Sequence, residues 1–186
     1  DLSTYGLFPD LQDQWLREYA IEAFGKMYGA AAGKDAVMGF LGQTGANALR
    51  GAEILNTAPE KYTSTIEYGT DSISKSLKDV AQVMFADFGT RIFYTSHGGY
   101  DTHAGLKTAH PELWTDLGRA VSDFMADLEE HDQSEDTAIL IFSEFGRRVR
   151  DNGNGADHGS GGVAFLIGEN VKGGMYGEYP SLEEKD

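Results

Sequence analysis

Helical and strand-like patterns alternate along the second half of the chain, and this alternation limits the fold more than any other feature. Apolar residues recur every three or four positions over residues 72–88, which predicts a helix with Ser72 as its cap. A β-prone run follows at residues 91–95. A further helical pattern and two apolar runs, at residues 137–142 and 163–167, complete the series. This order predicts an α/β fold with a largely parallel sheet flanked by helices.

The second of these helices has an apolar face formed by Leu113, Leu117, Val121, Phe124 and Leu128. Two earlier segments, residues 11–32 and 36–55, are also typical of helices, and residues 57–70 are typical of a loop. We therefore expect one domain over residues 1–186, with a helical flank and loop in residues 1–70 and the sheet in residues 71–186.

Composition excludes several classes of function. The formal net charge of −15 disfavours nucleic-acid binding, because the phosphate backbone would be repelled. The chain has no cysteine, which excludes disulfides, thiolate catalysis and thiolate metal sites. No apolar run is long enough to predict a transmembrane segment.

Asp101 and His103 follow the run at 91–95, after the Gly98-Gly99 turn. In extended backbone, side chains two residues apart leave on the same side and can reach one ion. A carboxylate and an imidazole are common ligands of zinc, manganese or iron. The alternative is an ordinary surface loop whose Asp caps a helix.

Glu144 ends the apolar run at 137–142, where a carboxylate is costly to bury without a compensating partner. It is either a metal ligand or the ion-pair partner of Arg147 or Arg148. In the first case Arg147 could bind an anionic substrate through its forked donors. Ser143 is not expected to be a nucleophile, because it is outside a G-x-S-x-G turn.

Asp157 and His158 lie in a glycine-rich stretch, off any periodic apolar face, which favours a ligand role over a core histidine. His97 is a further candidate ligand, whereas His110 and His131 are typical of surface positions at helix ends. Each cluster comes just after a predicted strand or its loop. We therefore expect one site that holds one or two divalent cations, with the ligands Asp101, His103, Glu144, Asp157 and His158.

Five motifs together resemble a large bacterial family of exported proteins of unknown function, placed in the alkaline phosphatase-like superfamily with sulfatases and cofactor-independent phosphoglycerate mutases. They are GGYDTH at 98–103, SEFGRR at 143–148, DHG at 157–159, VKGG at 171–174 and GEYPSL at 177–182. The resemblance covers residues from about 72 onward. It implies an alkaline phosphatase-like sheet, export through a twin-arginine signal and a periplasmic or extracellular location.

By this resemblance, Asp101 and His103 match two ligands of one metal, and His158 matches a later histidine ligand. Glu144 and Phe145 stand where relatives usually carry an Asp-His pair, so this chain departs from the pattern there. The resemblance further implies that the chain is a C-terminal portion, and that the nucleophile lies in a preceding portion.

These features predict a metal-dependent hydrolase that acts on small anionic phosphate or sulfate esters. The divalent ion could be zinc, manganese, calcium or magnesium. A second hypothesis is a non-catalytic, exported binding or assembly protein that keeps the fold and one metal. The sequence makes no prediction about oligomeric state.

Overall fold

The computed structural model describes residues 2, 8, 10–31, 35–179, 181 and 183. The helices are α1 (Gln14–Ala31), α2 (Ala36–Thr57), a 3₁₀ helix (Ala58–Lys61), α3 (Ser72–Phe85) and α4 (Leu106–Glu130). The strands are β1 (Ile139–Ile141), β2 (Gly146–Asp151), β3 (Ala156–Gly159) and β4 (Phe165–Ile167). The four helices predicted from periodicity are therefore confirmed. None of the described helices is long and apolar enough to cross a membrane.

The chain forms two compact units. The first consists of Asp1–Thr63 with Gln82–Ile92, and the second of Ser64–Ala81 with Phe93–Asp186. In the first unit, α1 and α2 approach closely at Gly45, where an added Cβ would lie 2.3 Å from ring atoms of Tyr28. Only glycine permits such proximity, so Gly45 allows the two helices to pack at this point.

In the second unit, α4 buries the face that periodicity predicted. Of its five apolar residues, four are buried and Leu113 is partly buried. The segment before α3, residues 64–71, is bonded to α4 at three positions along that helix. Thr65 donates to Glu130, Tyr68 donates to Asp127, and Asp71 pairs with Arg119. The helix begins at Leu106 and so includes Pro111 in its second turn.

The prediction of an alkaline phosphatase-like α/β fold with a largely parallel sheet flanked by helices is wrong. The described strands form two separate sheets of two strands each, β1 with β4 and β2 with β3, and both are antiparallel. In the first, Leu140 lies opposite Leu166, and in the second, Arg147 lies opposite His158. Residues 91–95 form no strand in the described part of the chain.

The connection between β1 and β4 explains why the prediction of a parallel sheet is wrong. Parallel strands need a long crossover, usually a helix, whereas the link from β1 to β4 contains only the β2–β3 hairpin. The chain therefore returns antiparallel. The run at 91–95 is β-prone in composition, but its Ile92 and Tyr94 are 89% and 81% exposed. Such propensity describes side chains suited to a pleated surface and does not specify a pairing partner.

The N-terminus of α3 is capped by Asp71 and not by the predicted Ser72. Its carboxylate accepts hydrogen bonds from the Ser74 amide at 2.9 Å, the Ser74 hydroxyl at 2.8 Å and Arg119 Nη2 at 2.7 Å. Burial raises the pKa of Asp71, but these hydrogen bonds outweigh it and lower the pKa from 3.8 to about 2. The cap therefore also links α3 to α4.

Replacing Asp71 with alanine is expected to lower the free energy of unfolding by about 1–2 kcal/mol at pH 7. The folded-state pKa lies below the unfolded value, so this contribution is present above about pH 4 and declines as the pH falls towards about 2. Urea unfolding of the two proteins at pH 7 and pH 3 measures it. A difference that stays constant or grows on acidification would contradict the assigned pKa shift.

Candidate metal site

Three side chains predicted as metal ligands come together in the second unit. One ligand atom from each of Asp101, His103 and His158 lies within 4.8 Å of the others. The Oδ1 atom of Asp101 is 2.8 Å from His158 Nε2 and 3.1 Å from His103 Nε2. All three side chains are about half exposed, so an ion and a substrate could reach them from solvent.

Local backbone geometry places these ligands. Asp101 lies in a tight turn closed by a hydrogen bond of 2.9 Å from the Thr102 amide to the Tyr100 carbonyl oxygen, and His103 begins the bend that leads into α4. The two side chains approach each other as predicted, but through this turn and not through extended backbone. Thr102, between them, points the other way and is buried, with Oγ1 at 2.9 Å from His110 Nε2. His158 comes from β3, and a gap of 57 residues separates it from Asp101.

The Asp157 carboxylate orients the cluster and is not one of the three grouped ligands. Its Oδ1 lies 3.2 Å from His103 Nδ1, which leaves His103 Nε2 facing Asp101. Asn152 Nδ2 donates both to Asp157 Oδ1 at 3.0 Å and to the His103 carbonyl oxygen at 3.1 Å. A carboxylate behind a ligating imidazole is the usual outer partner in metal sites, because it fixes the tautomer and the ring orientation.

Both carboxylates of the site are held in their anionic form. A hydrogen bond from His158 lowers the pKa of Asp101, and the nearby charges of His103 and Arg147 act in the same direction. The pKa of Asp157 is lowered by its hydrogen bonds from Asn152 and His103. Both lowered pKa values keep these carboxylates ionised at neutral pH, the form in which they bind cations.

Phe145 packs directly on the cluster. Its ring stacks on that of His158, with centroids 4.3 Å apart and an interplanar angle of 17°. The guanidinium carbon of Arg147 lies 5.0 Å from the centroid of the Phe145 ring. The Phe145 ring thus limits the orientation of the His158 imidazole.

Arg147, the predicted substrate-binding residue, lies beside the cluster. Its Nη2 is 3.6 Å from Asp101 Oδ1 and donates to the Tyr100 carbonyl oxygen at 2.7 Å, while its Nη1 donates to the Ala156 carbonyl oxygen. The side chain is 19% exposed. Its terminal nitrogens are thus already bonded to backbone.

Glu144 and His97 are not among the described residues that form the cluster. Glu144 is exposed and lines a neighbouring open cavity of about 380 Å³, together with Phe142, Ser143, Phe145, Gly146, Ser160, Gly162, Val163 and Ala164. His97 Nδ1 lies 3.0 Å from the Tyr100 hydroxyl group. Their predicted roles as ligands are not supported by proximity.

Sequence reasoning missed two residues that hold the site. Asn152 lies in a loop that lacks calcium-loop spacing, and its contacts with His103 and Asp157 depend on the β2–β3 turn. His110 resembled a surface residue at a helix start, but it is partly buried, and its Nε2 lies 3.2 Å from the Tyr100 carbonyl oxygen. The glycine at 155 gives the only local signal, because an added Cβ there would lie 2.5 Å from the His103 carbonyl oxygen.

The three side chains form a possible metal-binding triad. Their donor set of two imidazoles and one carboxylate is one that divalent transition metals commonly accept. The separations of 2.8 and 3.1 Å around Asp101 Oδ1 are those of a hydrogen bond and an ion pair, which bonds to an ion would replace.

Comparison with known proteins places the chain in a family. No curated protein and no solved structure gives a significant match. One family model, described as protein of unknown function (DUF1501), matches residues 27–186. That match includes α2 and every later element, together with Asp101, His103 and His158. The chain therefore belongs to the DUF1501 family of proteins of unknown function.

Proposed function

We propose that this protein is a metal-dependent hydrolase of phosphate or sulfate esters, with its ion held by Asp101, His103 and His158. The observation that carries the proposal is the convergence of a carboxylate and two imidazoles from segments distant in sequence. Three protein ligands at an exposed site leave coordination positions for water and substrate, as in catalytic metal centres.

Two residues around the cluster orient its two imidazole rings. Asp157 holds His103 with Nε2 directed at the ion position, and Phe145 holds the ring plane of His158. A bound ion would supply a Lewis acid and lower the pKa of a coordinated water or hydroxyl group.

Positive charge near the cluster favours an anionic substrate despite the acidic composition. Arg147, Arg148 and Arg150 all lie on β2, the strand that pairs with the strand of His158. The charges of Arg148 and Arg150 can attract a phosphate or sulfate ester, and Arg147 adds its charge although its terminal nitrogens are bonded to backbone carbonyl groups. The sequence motifs of the chain also resemble those of metal-dependent phosphatases and sulfatases, and this resemblance motivates the choice of ester. Export to the periplasm or the exterior remains a prediction from the same resemblance.

The direct test is hydrolysis of p-nitrophenyl phosphate and p-nitrophenyl sulfate by the purified protein. We expect turnover of at least one ester, loss of activity after chelation, and recovery with zinc or manganese. The His158→Ala variant should be inactive. A protein that binds metal but hydrolyses neither these esters nor a wider panel would contradict the hydrolase proposal.

A second candidate is a non-catalytic metal-binding protein. Phe145 in the place of a ligand, together with the bonding of Arg147 to backbone carbonyl groups, favours it. This function predicts that chelation lowers the melting temperature while every ester of the panel stays intact. Activity that depends on added metal would exclude it.

A further inference from the structure

Arg147 is bonded to both of the chain segments that carry the metal ligands. Through its backbone it lies opposite His158 in the β2–β3 ladder. Through its side chain, Nη2 donates to the Tyr100 carbonyl oxygen and Nη1 to the Ala156 carbonyl oxygen. All three contacts reach residues that are ligands or directly precede a site carboxylate.

The two carbonyl groups are the last backbone groups before Asp101 and Asp157. Each belongs to the peptide unit whose nitrogen is that of the aspartate. One planar guanidinium therefore fixes the separation of two peptide units that are remote in sequence. A fixed peptide unit restricts where the side chain that follows it can be placed.

We propose that Arg147 is a positioning residue of the metal site, which sets the distance between the Asp101 and Asp157 segments by binding the carbonyl oxygens that precede them. The inference rests on the proposed function for the identity of the site. It assigns Arg147 a role distinct from substrate binding, because its terminal nitrogens are already used by the protein.

The surroundings of the guanidinium support this role. The side chain is mostly shielded from solvent, and its charged end lies near the ring of Phe145, which itself stacks on His158. Hydrogen bonds from a charged donor in a shielded position are stronger than those at an open surface. Lysine could not replace them, because a single ammonium group lacks the fork that reaches two separate carbonyl groups.

The first measurement uses the metal-free protein and compares Arg147→Lys with Arg150→Lys, a control on the exposed part of the same strand. Amide ¹H–¹⁵N spectra report directly on the peptide nitrogens of Asp101 and Asp157. We expect both signals to shift in Arg147→Lys and to keep their positions in Arg150→Lys. Unchanged signals in Arg147→Lys would overturn the proposal whether or not the protein binds metal.

The second measurement is zinc affinity by calorimetry, together with the visible absorption spectrum of bound Co²⁺. Loss of an outer partner of a metal site typically weakens binding by about 10–100-fold, and we expect a loss of this size in Arg147→Lys with an altered Co²⁺ spectrum. Wild-type affinity and spectrum in this variant would overturn the positioning role alone. Failure of the wild-type protein to bind either ion would instead remove the proposed function, and the amide signals would still decide the role of Arg147.

Discussion

Zinc binding by the His158→Ala variant is expected to be weaker than that of the wild-type protein by at least about 100-fold, because loss of an outer partner alone costs about 10–100-fold. His158 supplies one of the three ligand atoms that group together among the described residues, and its Nε2 lies 2.8 Å from Asp101 Oδ1. Removal of the imidazole leaves two ligands, too few to hold an ion at an exposed site. Calorimetric titration of both proteins with zinc measures the difference.

Two control variants make this result specific to the geometry. His97 and Glu144 were candidate ligands by sequence, but neither is among the described residues of the cluster. We therefore expect His97→Ala and Glu144→Gln to bind zinc with essentially wild-type affinity. Unchanged binding by His158→Ala, or a large loss in either control, would show that the ion is held by a different set of residues.

The helices could be predicted because their information is local. The apolar repeat of α4 identifies its buried face without knowledge of any partner, and the same holds for α3. The repeat of α1 predicts the helix but not its burial, because Trp15, Tyr19 and Met27 are at least 60% exposed. The pairing of strands is not local. The order of elements favoured a parallel sheet. It could not show that the hairpin β2–β3 fills the link between β1 and β4, or that residues 91–95 pair with none of the described strands.

The same distinction between local and non-local information applies to the residues of the candidate metal site. The short spacing of Asp101 and His103 indicates that they lie close together, although a turn and not extended backbone brings them into contact. The glycines around His158 indicate that it is outside the core. The partners of Arg147 could not be found in this way, because both are backbone carbonyl groups and carry no residue signature. Asn152 was not predicted for a related reason, because its hydrogen bonds form only once the β2–β3 turn is closed.

The Asp127→Ala variant is expected to lose about 3–5 kcal/mol of unfolding free energy, a large share of the roughly 5–15 kcal/mol typical of a domain. Asp127 is fully buried on the inner face of α4. Its Oδ2 accepts a hydrogen bond of 2.7 Å from the Tyr68 hydroxyl group, and its Oδ1 lies 3.2 Å from His131 Nδ1. Alanine would leave the Tyr68 hydroxyl group without its acceptor and create a small cavity, whereas His131 Nδ1 would keep its contact of 2.8 Å with the backbone carbonyl oxygen of residue 127. Urea unfolding followed by circular dichroism measures the loss.

Comparison with two other variants separates this contact from a general effect on the helix. Glu129 is exposed on α4, so Glu129→Ala should change stability by less than about 0.5 kcal/mol. Tyr68→Phe removes only the hydroxyl group, and a double-mutant cycle with Asp127→Ala should give a coupling energy of about 1–3 kcal/mol. Additive losses would mean that the hydrogen bond from Tyr68 contributes little. The loss of unfolding free energy in Asp127→Ala would then come from the other contacts of the buried carboxylate, including that with His131. A coupling of the expected size would establish that Asp127 fastens the segment before α3 to α4, the helix that follows the Asp101 and His103 ligands.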